Sequence, residues 1–317
     1  MKYLITGGAG FIGINLAKQL SKIKKNKIYL LDNFSKKIDK SALEALLFNK
    51  NVKIIKKDIN NISNYLKTYD FDYIFHFAAT LGVKKVINYP YYTLKNNILT
   101  TIQLIEFAKK QKKLKKFCFT STSEVYAYSL KRKLIKYPTP EHIDFLIPKD
   151  YDNRSSYLLS KVVGEYFTHY SNINYIILRP HNIFGPQMGF AHVIPQLTEK
   201  LVKQKKIIID NSNHKRTFCF IDFAIELIIN IAHNNNLSKK VFNIGSPDKE
   251  INIFNLAKKI KKIIKSKANL KTSKTKKDNS PSKRKPDMKN SIIHIKSKHN
   301  FEKGLKDTVL WYKNYFR

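Results

Sequence analysis

Acidic residues are scarce in this chain: 23 Asp and Glu stand against 60 Lys and Arg, a formal charge of +37. Cysteine is scarcer still. The two that exist, Cys118 and Cys219, lie far apart in apolar, strand-like runs, so buried free thiols are expected rather than a disulfide or a nucleophile. No apolar run approaches the roughly 18 residues that a membrane-spanning helix needs. The opening Met1-Lys2-Tyr3-Leu4-Ile5-Thr6-Gly7 ends its short apolar stretch in a glycine turn, which predicts a first strand and not a signal peptide. A soluble cytoplasmic protein with no membrane partner is the expectation. With 10 Gly, 10 Pro and a hydrophobic fraction of 43%, the 317 residues read as an ordinary globular chain near the size where one core splits into two.

Arginine is the other rarity, at six of the 60 basic residues. A basic stripe is the usual footprint of nucleic-acid binding. Here the lysines are scattered rather than gathered into one arm, and Asn, Ile, Tyr and Phe are abundant as well. All of these residues have AT-rich codons, so genome composition is a sufficient source of the excess. A nucleic acid is not expected as the main partner. An attraction for anionic substrates follows in either case.

What is present is an alternation of short apolar runs and helical segments over the first 180 residues, the signature of a parallel sheet wrapped by helices. Strands are predicted at Lys2–Thr6, Lys27–Leu31, Val52–Ile55, Tyr73–Phe77, Lys116–Thr120 and Tyr175–Leu178. Helices are predicted near Phe11–Ser21, Ser41–Leu47, Tyr91–Lys112 and Ser155–Ser171. After Arg179-Pro180 the pattern loosens, prolines punctuate it, and Lys271–Lys289 reads as a mobile loop before an amphipathic helix over Phe301–Phe316. The expected division is an α/β domain with a doubly wound parallel sheet over residues 1–179. A smaller substrate-binding domain follows over 180–317, with segments returning to the first.

Gly7, Gly10 and Gly13 follow a strand and open a helix at Phe11 and Ile12, the context in which backbone approaches a pyrophosphate lying against a helix N-terminus. Asp32 ends the second strand, followed by Asn33. A carboxylate there accepts hydrogen bonds from ribose hydroxyls and repels a 2′-phosphate. No Arg follows it, although Lys36 and Lys37 lie close. The expected cofactor is NAD rather than NADP, and residues 1–179 are accordingly expected to form an NAD-binding Rossmann domain.

With Tyr157-Leu158-Leu159-Ser160-Lys161 the chain resembles the extended short-chain dehydrogenase/reductase family, the nucleotide-sugar epimerases and dehydratases. The resemblance covers nearly the whole sequence. It implies that Asp58 and Ile59 contact adenine, that Phe77, Ala78 and Ala79 line the cofactor, and that Asn97 belongs to the same site. Arg179-Pro180, Phe184-Gly185-Pro186 and the closing Gly304–Thr308 segment match too. One departure stands out: Ala127 occupies a position after Val125-Tyr126 where the family usually has glycine, which leaves the conformation of that loop open.

The chemistry of Tyr157 and Lys161 can be argued directly. Four apart on a helix, they share one face. A free phenol titrates near 10, so it needs a neighbouring cation before it acts as a base at neutral pH. Lys161 and the nicotinamide charge are the sources, and Tyr157 then takes the proton of a sugar hydroxyl while NAD takes the hydride from the same carbon. The resemblance places the proton-relaying hydroxyl at Thr122. It also makes Glu124 informative: family members that eliminate at C5–C6, or decarboxylate, tend to carry Glu in a Thr-Ser-Glu order, whereas simple 4-epimerases do not. A helix-capping Glu is the plainer alternative. Arg216 matches the family's diphosphate-binding arginine, Arg284 sits in an Arg-Lys-Pro segment resembling sugar-nucleotide decarboxylases, and Asn182 is expected near the diphosphate or sugar. Each can instead be a surface group. The expected activity is transient oxidation at C4 of a nucleoside-diphosphate sugar, leading to 4,6-dehydration or decarboxylation, with 4-epimerisation as the alternative. A non-catalytic NAD-binding or nucleic-acid-binding protein is the rival of another class. A homodimer is expected, and no metal.

Overall fold

The computed structural model describes every residue except 37–39, 150, 274–280 and 317, with the backbone alone of Lys40. The first half of the chain runs β1 (Lys2–Thr6), α1 (Phe11–Ser21), β2 (Lys27–Asp32), α2 (Lys40–Leu47), β3 (Val52–Lys56), α3 (Ile62–Tyr65), β4 (Tyr73–His76), α4 (Val83–Asn88), α5 (Pro90–Lys109), β5 (Lys116–Thr120) and α6 (Ala127–Lys131). The second half runs α7 (Ser155–Tyr170), β6 (Tyr175–Pro180), β7 (Ile183–Phe184), α8 (Val193–Lys203), β8 (Lys206–Ile209), β9 (Lys215–Arg216), β10 (Cys219–Phe220) and α9 (Ile221–His233). It closes with β11 (Lys240–Ile244), β12 (Ile251–Asn252), α10 (Ile253–Ile264), β13 (Asn269–Thr272), β14 (Lys283–Arg284), α11 (Lys289–Ile292) and α12 (Phe301–Phe316). Two 3-10 turns, Ile59–Asn61 and Ser123–Tyr126, follow β3 and β5.

Seven strands form one parallel sheet in the order β11-β6-β5-β4-β1-β2-β3. The order reverses between β1 and β4, where Thr6 is flanked by Leu31 on one side and His76 on the other. Ligands of such sheets bind at the carboxyl ends of strands beside a reversal of this kind. Every residue of Tyr73–His76 and Lys116–Thr120 is buried, as continuous apolar strands covered on both faces must be. The seventh strand, β11, was not anticipated from the sequence. Its five residues give too short a pattern, and its place is set by long-range pairing.

The chain forms two compact units. The first comprises Met1–Tyr128, Asp144–Pro180 and Ile225–Phe242. Its core joins Leu4, Leu31, Ile74, Phe117, Phe119 and Ile177 of the sheet to Leu104, Ile105 and Phe107 of α5. Helix α7 presses onto β5 at Gly164, where a Cβ would come within 2.4 Å of the Phe119 ring. Only glycine permits that approach, and it seats the helix carrying Tyr157 and Lys161 against the sheet.

The second unit comprises Ser129–Ile143, His181–Ala224 and Asn243–Arg317. Helices α8, α10 and α12 pack on one another, and Phe184 meets Phe218, Phe220 and Phe301 in its core. Here the expectation of a loop over Lys271–Lys289 is corrected. Lys271 and Thr272 close β13 against β8, Lys283–Arg284 form β14 against β9, and Lys289 opens α11. Partner strands supply the backbone hydrogen bonds that local composition does not advertise; residues 274–280 lie outside the described set.

Both cysteines are buried and free, and burial pushes each thiol up, keeping it protonated. Among the described residues no helix is long and apolar enough to cross a membrane.

Candidate active site

The residues singled out in the first unit follow the C-terminal ends of β1 to β5 or lie on α5 and α7. After β1, Gly7 adopts φ +65°, and a Cβ there would fall 2.7 Å from the backbone nitrogen of Ala78. Gly10 N–H donates to Gly7 O at 3.0 Å, closing a tight turn into α1. The first turn of that 11-residue helix holds no acidic side chain, so the N–H groups of Phe11, Ile12 and Gly13 face an uncontested site for an anion. The Asp32 carboxylate accepts from Ala9 N–H at 3.1 Å and Phe34 N–H at 2.8 Å, which fixes it beside the glycine turn. Asp58 caps the 3-10 turn that begins at buried Ile59, and accepts from the Asn33 amide at 3.0 Å. Two acceptor carboxylates, a small-residue wall at Ala78 and Ala79 and an anion-ready helix terminus fit an adenine dinucleotide. Of the two lysines near Asp32, Lys37 lies outside the described residues.

Asn97 organises the floor of this region. Its carbonyl accepts from Thr80 N–H at 2.7 Å, and its amide donates to Thr80 O and to Ser160 Oγ, both at 3.1 Å. Ser160 in turn donates to Tyr157 O at 2.7 Å. Asn97 thereby ties the segment after Phe77 to α7. His76, also fully buried, is hydrogen-bonded to Thr6 at 2.8 Å and Thr101 at 3.2 Å. Burial, aided by the nearby Lys161 charge, lowers it to about 3, so it is neutral.

Lys161 is buried and donates to Thr120 O at 2.7 Å, with its ammonium 5.0 Å from the Phe119 ring centroid. Burial lowers it to about 8, against the Glu165 carboxylate, which raises it. Burial and the Glu124 carboxylate push the Tyr157 phenol up to about 12, while its hydrogen bond with the Thr122 hydroxyl pulls the other way. Thr122, Glu124 and Tyr157 thus converge, with Lys161 one helical turn further along α7. Thr122 also caps the 3-10 turn by accepting from Glu124 N–H at 3.2 Å, and Arg154 approaches Glu124 at 3.8 Å. Ala127, the departure from the family pattern, has φ −60° and ψ −48° and opens α6. Those are helical angles, which alanine adopts without strain.

In the second unit Arg216 and Arg284 are register partners in the parallel pair β9–β14, with Lys215 opposite Lys283. Four cations thus occupy two adjacent rungs, a local concentration of positive charge. Arg216 donates to Lys215 O and Ser282 O at 2.8 and 3.1 Å, which aims its planar head. Asn182, at φ +43°, donates to Thr217 O at 3.0 Å and accepts from Cys219 N–H at 3.1 Å, so it braces the strand beyond Arg216. Sequence reasoning missed three features. It did not find the role of Asn97 as a tie, the parallel bridge of Thr139 with Pro286 beside Arg284, or the pairing of Arg179 with Glu165 at 2.6 Å. Only the last left a signal, an acid one turn beyond Lys161.

A family model, the NAD dependent epimerase/dehydratase family, matches residues 3–245. The chain belongs to that family. It is 32% identical over 270 residues to a dTDP-D-glucose 4,6-dehydratase from Dictyostelium discoideum, covering 82% of this chain and 61% of the relative. It is 29% identical over 325 residues to a UDP-N-acetyl-alpha-D-glucosaminuronate decarboxylase from Bacillus cytotoxicus, covering 98% and 97%. The chain therefore spans less than two thirds of the first relative's length and nearly all of the second's. Its fold superposes with a TM-score of 0.84 on the UDP-glucuronic acid 4-epimerase of Bacillus cereus, solved in complex with UDP-glucuronic acid and NAD. That pair is 25% identical, with 99% of this chain and 100% of the other covered. NAD is the cofactor of this family.

Proposed function

We propose that the chain converts a nucleoside-diphosphate sugar by transient oxidation at C4 followed by loss of a group at the neighbouring carbons, with 4,6-dehydration as the outcome. The observation that carries this reading is the convergence of Glu124 on the Tyr157–Thr122 pair, where a simple epimerisation needs no carboxylate. In this reading the first unit holds NAD through Gly7, Gly10, Phe11, Ile12, Gly13, Asp32, Asn33, Asp58, Ile59, Phe77, Ala78, Ala79 and Asn97. The second unit holds the diphosphate through Arg216 and Arg284, with Asn182 beside them. When bound, NAD supplies a reversible hydride acceptor and a positive charge beside the phenol.

Tyr157 starts as a phenol, and the added cation together with Lys161 lowers it toward a usable base. Thr122 passes the C4 hydroxyl proton to Tyr157. The resulting C4 ketone acidifies the C5 hydrogen, and Glu124 removes that proton and passes it to the C6 hydroxyl, which leaves as water; the hydride withdrawn from C4 then returns at C6 as a solvent proton adds at C5. Arg154 lies 3.8 Å from the Glu124 carboxylate. A decarboxylation is the second reading. It is supported by the pairing of Arg284 with Arg216 and by the near-complete span shared with the decarboxylase relative.

A homodimer is part of the proposal. The neighbouring helices α5 and α7 expose Tyr91, Leu99, Tyr166, Phe167 and Tyr170, an apolar face suited to a second copy of the chain. We assign it to the cytoplasm, where nucleotide sugars are available.

Glu124→Gln tests the reading. The amide keeps the size of the side chain but cannot accept the C5 proton, so turnover is expected to fall by about two orders of magnitude while the initial oxidation survives. Reduced cofactor then accumulates, visible by its absorbance. A Gln variant of native activity contradicts the assignment of Glu124.

A further inference from the structure

A buried polar cluster lies on the far side of Lys161 from Tyr157. Arg179, near the end of β6, donates through Nε and Nη2 to the two carboxylate oxygens of Glu165 at 2.8 and 2.6 Å. Its Nη1 donates to the Tyr126 hydroxyl at 2.9 Å. The guanidinium carbon also lies 5.2 Å from the ring centroids of both Tyr126 and Phe145. Arg179, Glu165 and Tyr126 are 3%, 5% and 1% exposed. The planar fork is thus committed inside the protein and is not available to a substrate phosphate.

A buried ion pair is weak evidence for stability, because well-packed apolar residues often serve as well. Its two attachment points are more telling. Glu165 stands one helical turn beyond Lys161 and two beyond Tyr157 on α7. Tyr126 ends the 3-10 turn that Thr122 caps and that carries Glu124. One guanidinium therefore fastens the element bearing the relay hydroxyl to the element bearing the phenol.

We propose that Glu165, Arg179 and Tyr126 are positioning residues that hold the Thr122–Glu124 turn in register with the Tyr157–Lys161 face of α7, so that the proton-transfer geometry depends on them. The proposal rests on the roles given above to Thr122 and Tyr157. The hydrogen bond most exposed to a loosened turn is the one between Thr122 and Tyr157, which favours the phenolate. Weakening it raises the pH at which Tyr157 ionises. The Glu165 carboxylate adds a second effect, since it is the group that sustains the Lys161 charge against burial.

The test is Tyr126→Phe in the NAD-loaded protein. This change keeps the ring beneath Arg179 and removes one hydroxyl. Tyr157 ionisation is isolated by subtracting the ultraviolet phenolate titration of the matching Tyr157→Phe variant, with and without the Tyr126 change. The midpoint is expected to rise by about half a pH unit or more, with melting temperature and NAD affinity close to native. With whichever of dTDP-glucose, UDP-glucuronic acid or UDP-glucose the native enzyme converts, kcat is expected to fall about tenfold at unchanged KM. Arg179→Lys, which keeps the charge and loses the fork, is expected to shift both readouts further. An unchanged Tyr157 midpoint in Tyr126→Phe overturns the proposal, whether or not the melting temperature drops. If Tyr157→Phe alone retains native turnover, the catalytic reading fails. If it abolishes turnover while Tyr126→Phe behaves as native, only the positioning role fails.

Discussion

The two units present their candidate groups differently. In the first, polar side chains sit under long strands and are fixed by protein partners: Asn97 by Thr80 and Ser160, Lys161 by Thr120, His76 by Thr6 and Thr101. In the second, Arg216 and Arg284 lie on strands of two residues, like charge beside like charge. The first arrangement is complete in itself and sets a geometry in advance, as proton transfer requires. In the proposed reading the second gathers positive charge for an anionic ligand. In that reading one unit positions and the other captures.

Changes in the first unit should therefore act on turnover. Tyr157→Phe, which removes the titrating hydroxyl and keeps the ring, is expected to lower turnover by roughly 10²–10⁴-fold with NAD affinity nearly unchanged. Rapid-mixing kinetics and calorimetry measure the two. Native turnover would show that the phenol is not the base and would erase the contrast.

Changes in the second unit should act on binding. Arg216→Lys keeps the charge but loses the planar fork, so KM for the nucleotide sugar is expected to rise about tenfold while kcat stays within about twofold. The melting-temperature gain on adding UDP should shrink in the same variant. A kcat effect without a KM effect would place Arg216 in the chemistry and break the division between the units.

A specificity test sharpens the comparison within the first unit. Asp32, held beside the glycine turn by Ala9 and Phe34, should repel a 2′-phosphate. NAD is expected to bind at least about tenfold more tightly than NADP. Equal affinities in calorimetry would mean that nearby lysines offset the carboxylate.

The same contrast explains what could be read from the sequence. β1 and β5 and helices α1 and α12 were legible to the residue, because unbroken apolar runs and a glycine turn are local signals. That Tyr157 and Lys161 share one face of α7 was legible because four residues make about one helical turn. β9, β14 and β11 were not, since short strands owe their existence to partners distant in sequence. The Asn97 tie and the Tyr126–Arg179–Glu165 cluster join residues between 14 and 63 positions apart, and no local periodicity encodes such bonds. Ala127 was legible as a departure, yet its harmlessness depended on a helical φ that only the fold supplies.

The central claim is that a group is lost next to a transient C4 ketone. Incubation of the NAD-loaded enzyme with UDP-, GDP-, CDP- and dTDP-linked sugars in deuterated water, followed by mass spectrometry, tests it most directly. The expected product is lighter than its substrate by one water and carries solvent deuterium at C5. Loss of carbon dioxide from a uronic acid would transfer the account to its second reading. A product of unchanged mass with no deuterium at C5 would contradict the claim and make the chain a 4-epimerase.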